Sequence, residues 1–261
     1  MSNHKEHKRE LLGRTRRIVV KLGSSVLTTP GGVSQEQVGR ISAELCNLAQ
    51  RGFQVVVVTS GARAAGLARL GLSRIPKNIP EQQAAAAIGQ IRLMALYERC
   101  FADFDRHVGQ VLLTADDLRN RTRYLNAQHT FEHLLRHGVV PIVNENDSVA
   151  VEELKFGDND RLSALVAGLV GADLLVILTD VEGLYAGDPR TGNVPLVELV
   201  EDLDGHIGRG VVVHVVAPLD RHGQAGHAQL RTRQDGADGS RVQDRSPDVG
   251  AGIDTADDHR G

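Results

Sequence analysis

Ile18-Val19-Val20-Lys21-Leu22-Gly23-Ser24-Ser25 is the first apolar stretch of the chain, a β-branched run closed by glycine and two hydroxyls. Its apolar residues are continuous rather than alternating, which predicts a strand buried on both faces of a parallel sheet. Val55 to Val58 repeats the pattern before Thr59-Ser60-Gly61. Between the two runs, Ser34 is followed by Gln37, and Val38, Ile41, Leu45 and Leu48 share one helical face. That spacing predicts a capping box and an amphipathic helix.

The alternation carries on downstream. Helices are expected over about Glu81 to Phe101, Tyr124 to His137, and from Asp160 to just before Gly171. Strands are expected at Val108 to Leu113, Val139 to Val143 and Leu174 to Leu178. Right-handed crossovers then give an α/β fold, an open and mostly parallel sheet in an α/β/α sandwich, with ligands bound beyond the carboxyl ends of the strands. The polar clusters fall at those ends.

Composition narrows the class. The 261 residues carry 33 acidic and 30 basic side chains and 3% aromatics, which disfavours a nucleic-acid binder. No apolar run reaches the length of a membrane span and the first residues are charged, so a cytoplasmic protein with no membrane partner is expected. Cys46 and Cys100 stand alone, without C-x-x-C spacing, and are expected to be buried, inert thiols.

Residues 1–16 are polar and basic and are expected to form a flexible leader before a domain at 17–208. Residues 209–261 are atypical. From Ala217 onward Asp, Arg, Gly, His, Gln and Ala dominate and neither structural period is visible, so a disordered or frame-shifted tail is expected.

Four segments carry chemistry. Lys21 with Gly23, Ser24 and Ser25 sets a cation beside backbone N–H groups that could meet a polyphosphate; a solvated lysine beside a turn explains the same residues. Thr59-Ser60-Gly61-Ala62 and Ala64-Ala65-Gly66 would let a ligand, or only a closely packed helix, approach the backbone. Asn144-Glu145-Asn146-Asp147 and Gly157-Asp158-Asn159-Asp160 bring carboxylates and amides that suit an ammonium group, or the lysine and magnesium of a phosphate site, as well as a solvated turn. Thr179-Asp180, with Gly183-Leu184-Tyr185 and Asp188-Pro189-Arg190, could hold a base or ribose. No general base is evident.

Taken in order, Lys21 to Ser25, Val58 to Ala62, Val143 to Asp147 and Gly157 to Ala164 resemble the amino acid kinase family, most narrowly its γ-glutamyl kinase branch. Val108 to Thr114, Asn126-Ala127-Gln128 and Thr179 to Tyr185 extend the resemblance over about 17–204. The resemblance implies phosphorylation of the L-glutamate side-chain carboxylate by ATP with Mg2+, the first step of proline biosynthesis. It implies Lys21 as the cation at the transferring phosphoryl group, Gly61 as a backbone donor there, and Asp160 as the residue orienting the lysines. Ser60, Asp147 and Asn159 would hold glutamate, Asp147 taking the α-ammonium. Ser24, Thr179 and Asp180, with Lys21, would serve the nucleotide. A homo-oligomer and proline feedback are further implications.

Three departures stand out. Arg63 occupies a position that is aliphatic in the family. The family's C-terminal PUA module has no counterpart in these residues. The family's Gly-Thr-Gly-Gly-Met-x-x-Lys segment, source of a second cation, is missing too, and no lysine follows Lys155. Codons for Asp220-Arg221-His222-Gly223 read one nucleotide later can encode Thr-Gly-Met-Ala, so a frameshift near Gly208 to Val211 would account for the loss, and the chain as it stands is expected to be weakly active or inactive. Rival readings are an amino acid kinase for aspartate, N-acetylglutamate or a nucleoside monophosphate, and a catalytically dead amino-acid-binding member.

Overall fold

Continuous valine runs build the centre of the sheet, because a strand with helices on both sides must be apolar on both faces. The computed structural model describes residues 13–29, 31–72, 74–150, 159–179, 185–186, 192 and 194–195, with two further strands at 212–216 and 227–229. In chain order come β1 (Arg17–Leu22), α1 (Ser24–Leu27), β2 (Thr28–Thr29), β3 (Gly32–Val33), α2 (Gln35–Gln50), β4 (Gln54–Thr59), α3 (Ala62–Arg69) and α4 (Ile79–Ala102). These are followed by β5 (Val108–Leu113), α5 (Ala115–Arg119), α6 (Arg121–Arg136), β6 (Val140–Glu145), α7 (Asp160–Val170), β7 (Leu174–Leu178), β8 (Val212–Val216) and β9 (His227–Gln229).

The strands form one sheet of order β5-β6-β4-β1-β7-β8-β9, and β2 pairs with β3 in a separate ribbon. Every pairing from β5 to β8 is parallel, and β9 runs antiparallel to β8. Strands β8 and β9 come from the stretch read as atypical. Asp180, Gly157, Asp158 and most of residues 181–211 and 217–261 lie outside the described residues.

Side chains of one strand alternate between two cores, as the pleat requires. Val19, Val56, Val58, Val143 and Leu175 meet Phe131 and Leu135 of α6 and Leu162, Val166, Leu169 and Val170 of α7. Ile18, Val20, Leu22, Val55, Val57 and Ile142 meet Val38 and Leu45 of α2 and Leu93, Leu96, Tyr97 and Phe101 of α4. Cys46 and Cys100 are free and buried, and burial pushes both thiols up from their ordinary value.

Helix starts follow their caps. Ser34 accepts from the backbone N–H of Gln37 at 3.3 Å. The reciprocal half of the expected capping box is not needed, because the Ser34 N–H already donates to the Leu27 carbonyl at 2.8 Å. A full box appears at Thr114 and Asp117 instead, opening the short α5.

Candidate functional site

Three strand ends are tied together by backbone bonds at the carboxyl edge. Ser60 N–H donates to the Leu22 carbonyl at 3.1 Å, and Gly23 N–H donates to the Leu178 carbonyl at 3.3 Å. The loops leaving β1, β4 and β7 are thereby held side by side, where an open α/β sheet presents its ligand site.

Lys21 lies near the end of β1 and is 3% exposed. Its parity with Val19 points it toward the α7 side of the sheet, and its Nζ lies 2.6 Å from Asp160 Oδ1 at the start of α7. A buried ammonium is tolerated only with a counter-charge close by. A Cβ added to Gly23 would sit 3.5 Å from Lys21 Nζ, so the turn passes directly over the cation.

Asn159 caps α7 with φ of 70°, a left-handed conformation that asparagine accepts more readily than most residues. That backbone turns its side chain inward, where Nδ2 donates to the Thr59 carbonyl at 2.7 Å and to Asn144 Oδ1 at 2.9 Å, with Ser60 Oγ at 3.3 Å. Asn144 at the end of β6 donates through Nδ2 to Gln90 Oε1 of α4 at 2.9 Å, and its Oδ1 also accepts from Glu145 N–H at 2.9 Å. Asn144, Glu145, Asn159, Ser60 and Thr59 are all buried. Such a bonded polar chain in the interior orders its members strictly.

Gly61 caps α3 with φ of 102°, a region that a side chain would enter only under strain. It directs the backbone of the 59–61 turn toward the edge. Gly66 does something different from the ligand approach that its sequence allowed. A Cβ at Gly66 would lie 1.7 Å from the Ala85 carbonyl oxygen, and one at Gly89 would lie 1.7 Å from that of Ala62, so these glycines serve the contact of α3 with α4. Arg63 is exposed and donates to Gln82 Oε1 at 3.0 Å.

The structure therefore brings Lys21 to Asp160 and Asn159 to Ser60. Asp147 lies half-buried in the turn after β6, Ser24 is exposed at the start of α1, and Thr179 is half-buried after β7. Gln90 and Tyr97 of α4 join the site region without any signal of their own in the sequence. Thr59 Oγ1 and Tyr97 Oη lie 2.8 Å apart, and burial holds the tyrosine hydroxyl above its ordinary value of 10.0. A groove of about 520 Å3 between α3 and α4, bordered by Arg69, Arg92 and Arg99, contains none of these site residues. The buried polar chain, rather than cavity size, marks the site.

The profile of the amino acid kinase family matches residues 16–217. The chain belongs to the amino acid kinase family. Within that family it is similar to the glutamate 5-kinase of Carboxydothermus hydrogenoformans, at 52% identity over 213 residues, covering 78% of this chain and 57% of that protein. A glutamate 5-kinase from Meiothermus ruber is 55% identical over 190 residues, covering 71% and 50% respectively. The chain thus spans somewhat over half the length of the curated relatives it matches. Among solved structures, the isopentenyl phosphate kinase of T. acidophilum superposes with a TM-score of 0.58 at 19% identity, covering 83% of this chain and 100% of that one, a likeness of fold.

Among the described residues there is no group of three or more His, Cys, Asp and Glu side chains able to hold a metal ion. No described helix is long and apolar enough to cross a membrane.

Proposed function

We propose that the chain is the catalytic part of a glutamate 5-kinase, transferring the γ-phosphoryl group of ATP to the side-chain carboxylate of L-glutamate. The observation that carries this reading is the buried chain from Gln90 through Asn144 to Asn159 and Ser60, set beside the Lys21–Asp160 pair. The glutamate 5-kinase names of relatives at about half identity support it.

The chemistry suits these groups. A carboxylate of reference pKa about 4.3 is ionised at neutral pH, so the acceptor needs no general base. What transfer needs is alignment and neutralisation of the moving group's charge. Lys21 supplies the positive charge, with Asp160 fixing the direction of its ammonium. Ser60 and Asn159 receive the amino acid, Asp147 faces its α-ammonium, and the Gly61 backbone N–H lies toward the reacting carboxylate. Ser24, Thr179 and Asp180 serve the nucleotide. Magnesium, where the nucleotide carries it on its own phosphates as is usual for this ion, would neutralise phosphate charge. Association into a homo-oligomer, inhibition by proline and a cytoplasmic location are parts of the same reading.

Residues 209–261 lower the expected turnover. With no lysine after Lys155, one of the family's two cations is missing, which by analogy with losing one transition-state donor costs about a hundredfold in rate. A frameshift near Gly208 to Val211 would explain this, and the family match through residue 217 sets the slip at or beyond the end of that range. Sequencing the gene tests it, and a downstream region in which neither shifted frame encodes a glycine-rich turn and a lysine would end that explanation.

Calorimetric titration separates the substrates. L-glutamate is expected to bind in preference to N-acetyl-L-glutamate, since the role assigned to Asp147 requires a free ammonium, while L-aspartate, whose ammonium is free too, tests side-chain length. Equal or tighter binding of the acetylated compound would overturn the reading.

A further inference from the structure

Gln90 reads in the sequence as an ordinary polar position on an apolar helix, yet its Oε1 accepts from Asn144 Nδ2 at 2.9 Å. Two backbone groups decide which way this relay of amides runs. Glu145 N–H donates to Asn144 Oδ1, and the Thr59 carbonyl accepts from Asn159 Nδ2. A backbone N–H cannot accept and a carbonyl cannot donate. Asn144 must therefore turn its Nδ2 toward Gln90, and Asn159 must turn its Nδ2 inward.

Two consequences follow at the ends of the relay. Asn159 spends its Nδ2 on Thr59, Ser60 and Asn144, which leaves Oδ1 as its remaining polar atom, an acceptor suited to an ammonium donor. Gln90 Nε2, at the other end, is buried with no hydrogen-bond partner among the described residues. The relay engages the Gln90 carboxamide through its oxygen.

We propose that Gln90 is a positioning residue: together with Glu145 N–H it holds the Asn144 amide so that Oδ1 faces Asn159, and it thereby helps keep the Asn159 oxygen turned toward the amine of the bound amino acid. The identity of that amino acid rests on the glutamate reading above; the orientation of Asn159 does not. Substrate preference for a free α-ammonium is then determined partly from helix α4, outside the strand-end loops.

The test uses the full chain with Gln90→Met, which keeps length and removes the acceptor, and Gln90→Glu, which keeps an oxygen for Asn144 and removes the unmet donor. Two readouts are taken: L-glutamate affinity by calorimetry, and hydrogen exchange of the Asn159 side-chain amide by NMR. Gln90→Met is expected to weaken glutamate at least tenfold and to speed exchange of the Asn159 amide, while Gln90→Glu restores both to within about threefold of the parent. Gln90→Asn, which withdraws the oxygen by one methylene, takes the place of Gln90→Met if that variant does not fold. Variants that lower the melting temperature but leave glutamate affinity and Asn159 exchange unchanged would overturn the proposal. If the parent chain binds no glutamate, the substrate reading fails separately, and the exchange of the Asn159 amide alone decides whether Gln90 positions it.

Discussion

Lys21 Nζ and Asp160 Oδ1 lie 2.6 Å apart at the carboxyl edge of the sheet, with the lysine side chain 4% exposed and the aspartate 48% exposed. The asymmetry matters. The cation is sealed and held in one direction by Asn159's neighbour on α7, whose paired oxygen is buried while the rest of its side chain stays half exposed. A pair built for stability would bury both ends or neither, because half-solvated pairs contribute little.

Lys21→Met therefore separates function from folding. The Asp160 side chain left behind is half exposed and can turn its buried Oδ1 to water, so thermal unfolding should shift by only a few degrees, whereas phosphoryl transfer should fall at least about a hundredfold. Differential scanning calorimetry beside a turnover assay reads both, and a variant that unfolds at room temperature would show that the pair is structural.

Asn159→Asp tests the direction of the amide relay. The new carboxylate would face the Thr59 carbonyl and Asn144 Oδ1, both acceptors, at sites where the amide donated at 2.7 and 2.9 Å. Stability should drop by about 2 kcal/mol or more, and glutamate affinity should fall with it. Urea denaturation checks the first and calorimetry the second; unchanged stability would mean that the network is not formed as described.

Much of this fold was legible because its signals are local. Strands β5 and β7 and helix α7 have the bounds that the sequence predicts, since continuous apolar runs and a glycine stop are properties of adjacent residues. Helices α4 and α6 start earlier than their apolar periods, at Ile79 and Arg121, because Asn78 and Asn120 cap them. Helix α5 is too short to show a period at all. At the site, Lys21, Ser60 and Asn159 were legible from motif resemblance, but Gln90 was not. It lies 54 positions from Asn144, and its partnership is made only by the packing of α4 on the sheet. For Gly66 the sequence offered packing beside ligand approach, and only the approach of α4 selects the packing.

Gly89→Ala probes that packing directly. An added methyl would fall 1.7 Å from the Ala62 carbonyl oxygen, and two helix backbones must separate to admit it. A destabilisation of about 3 kcal/mol is expected from such overpacking, measured by chemical denaturation. A cost near zero would show that α3 and α4 are not in close contact.

The alkaline limit of stability has a definite sign. Burial holds Tyr97 above its ordinary 10.0, against a smaller lowering by its hydrogen bond with Thr59. The unfolded chain therefore releases this proton first. Its contribution is intact below about pH 10 and is lost as pH rises beyond it. Burial raises the Cys46 and Cys100 thiols from 9.0 in the same sense. Stability should thus decline above about pH 9, and Tyr97→Phe should cost about 1 kcal/mol near neutrality while flattening the fall above pH 10. Denaturation midpoints across pH 7 to about pH 11 check this, and a rise in stability over that range would contradict it.

The most direct measurement is formation of γ-glutamyl hydroxamate from L-glutamate, ATP, magnesium and hydroxylamine by the purified chain, with L-aspartate and Lys21→Met as controls. A slow signal that requires glutamate and ATP and disappears in Lys21→Met is the predicted result. A signal indifferent to Lys21, or equal with aspartate, would contradict the assignment of phosphoryl transfer to this strand-end site.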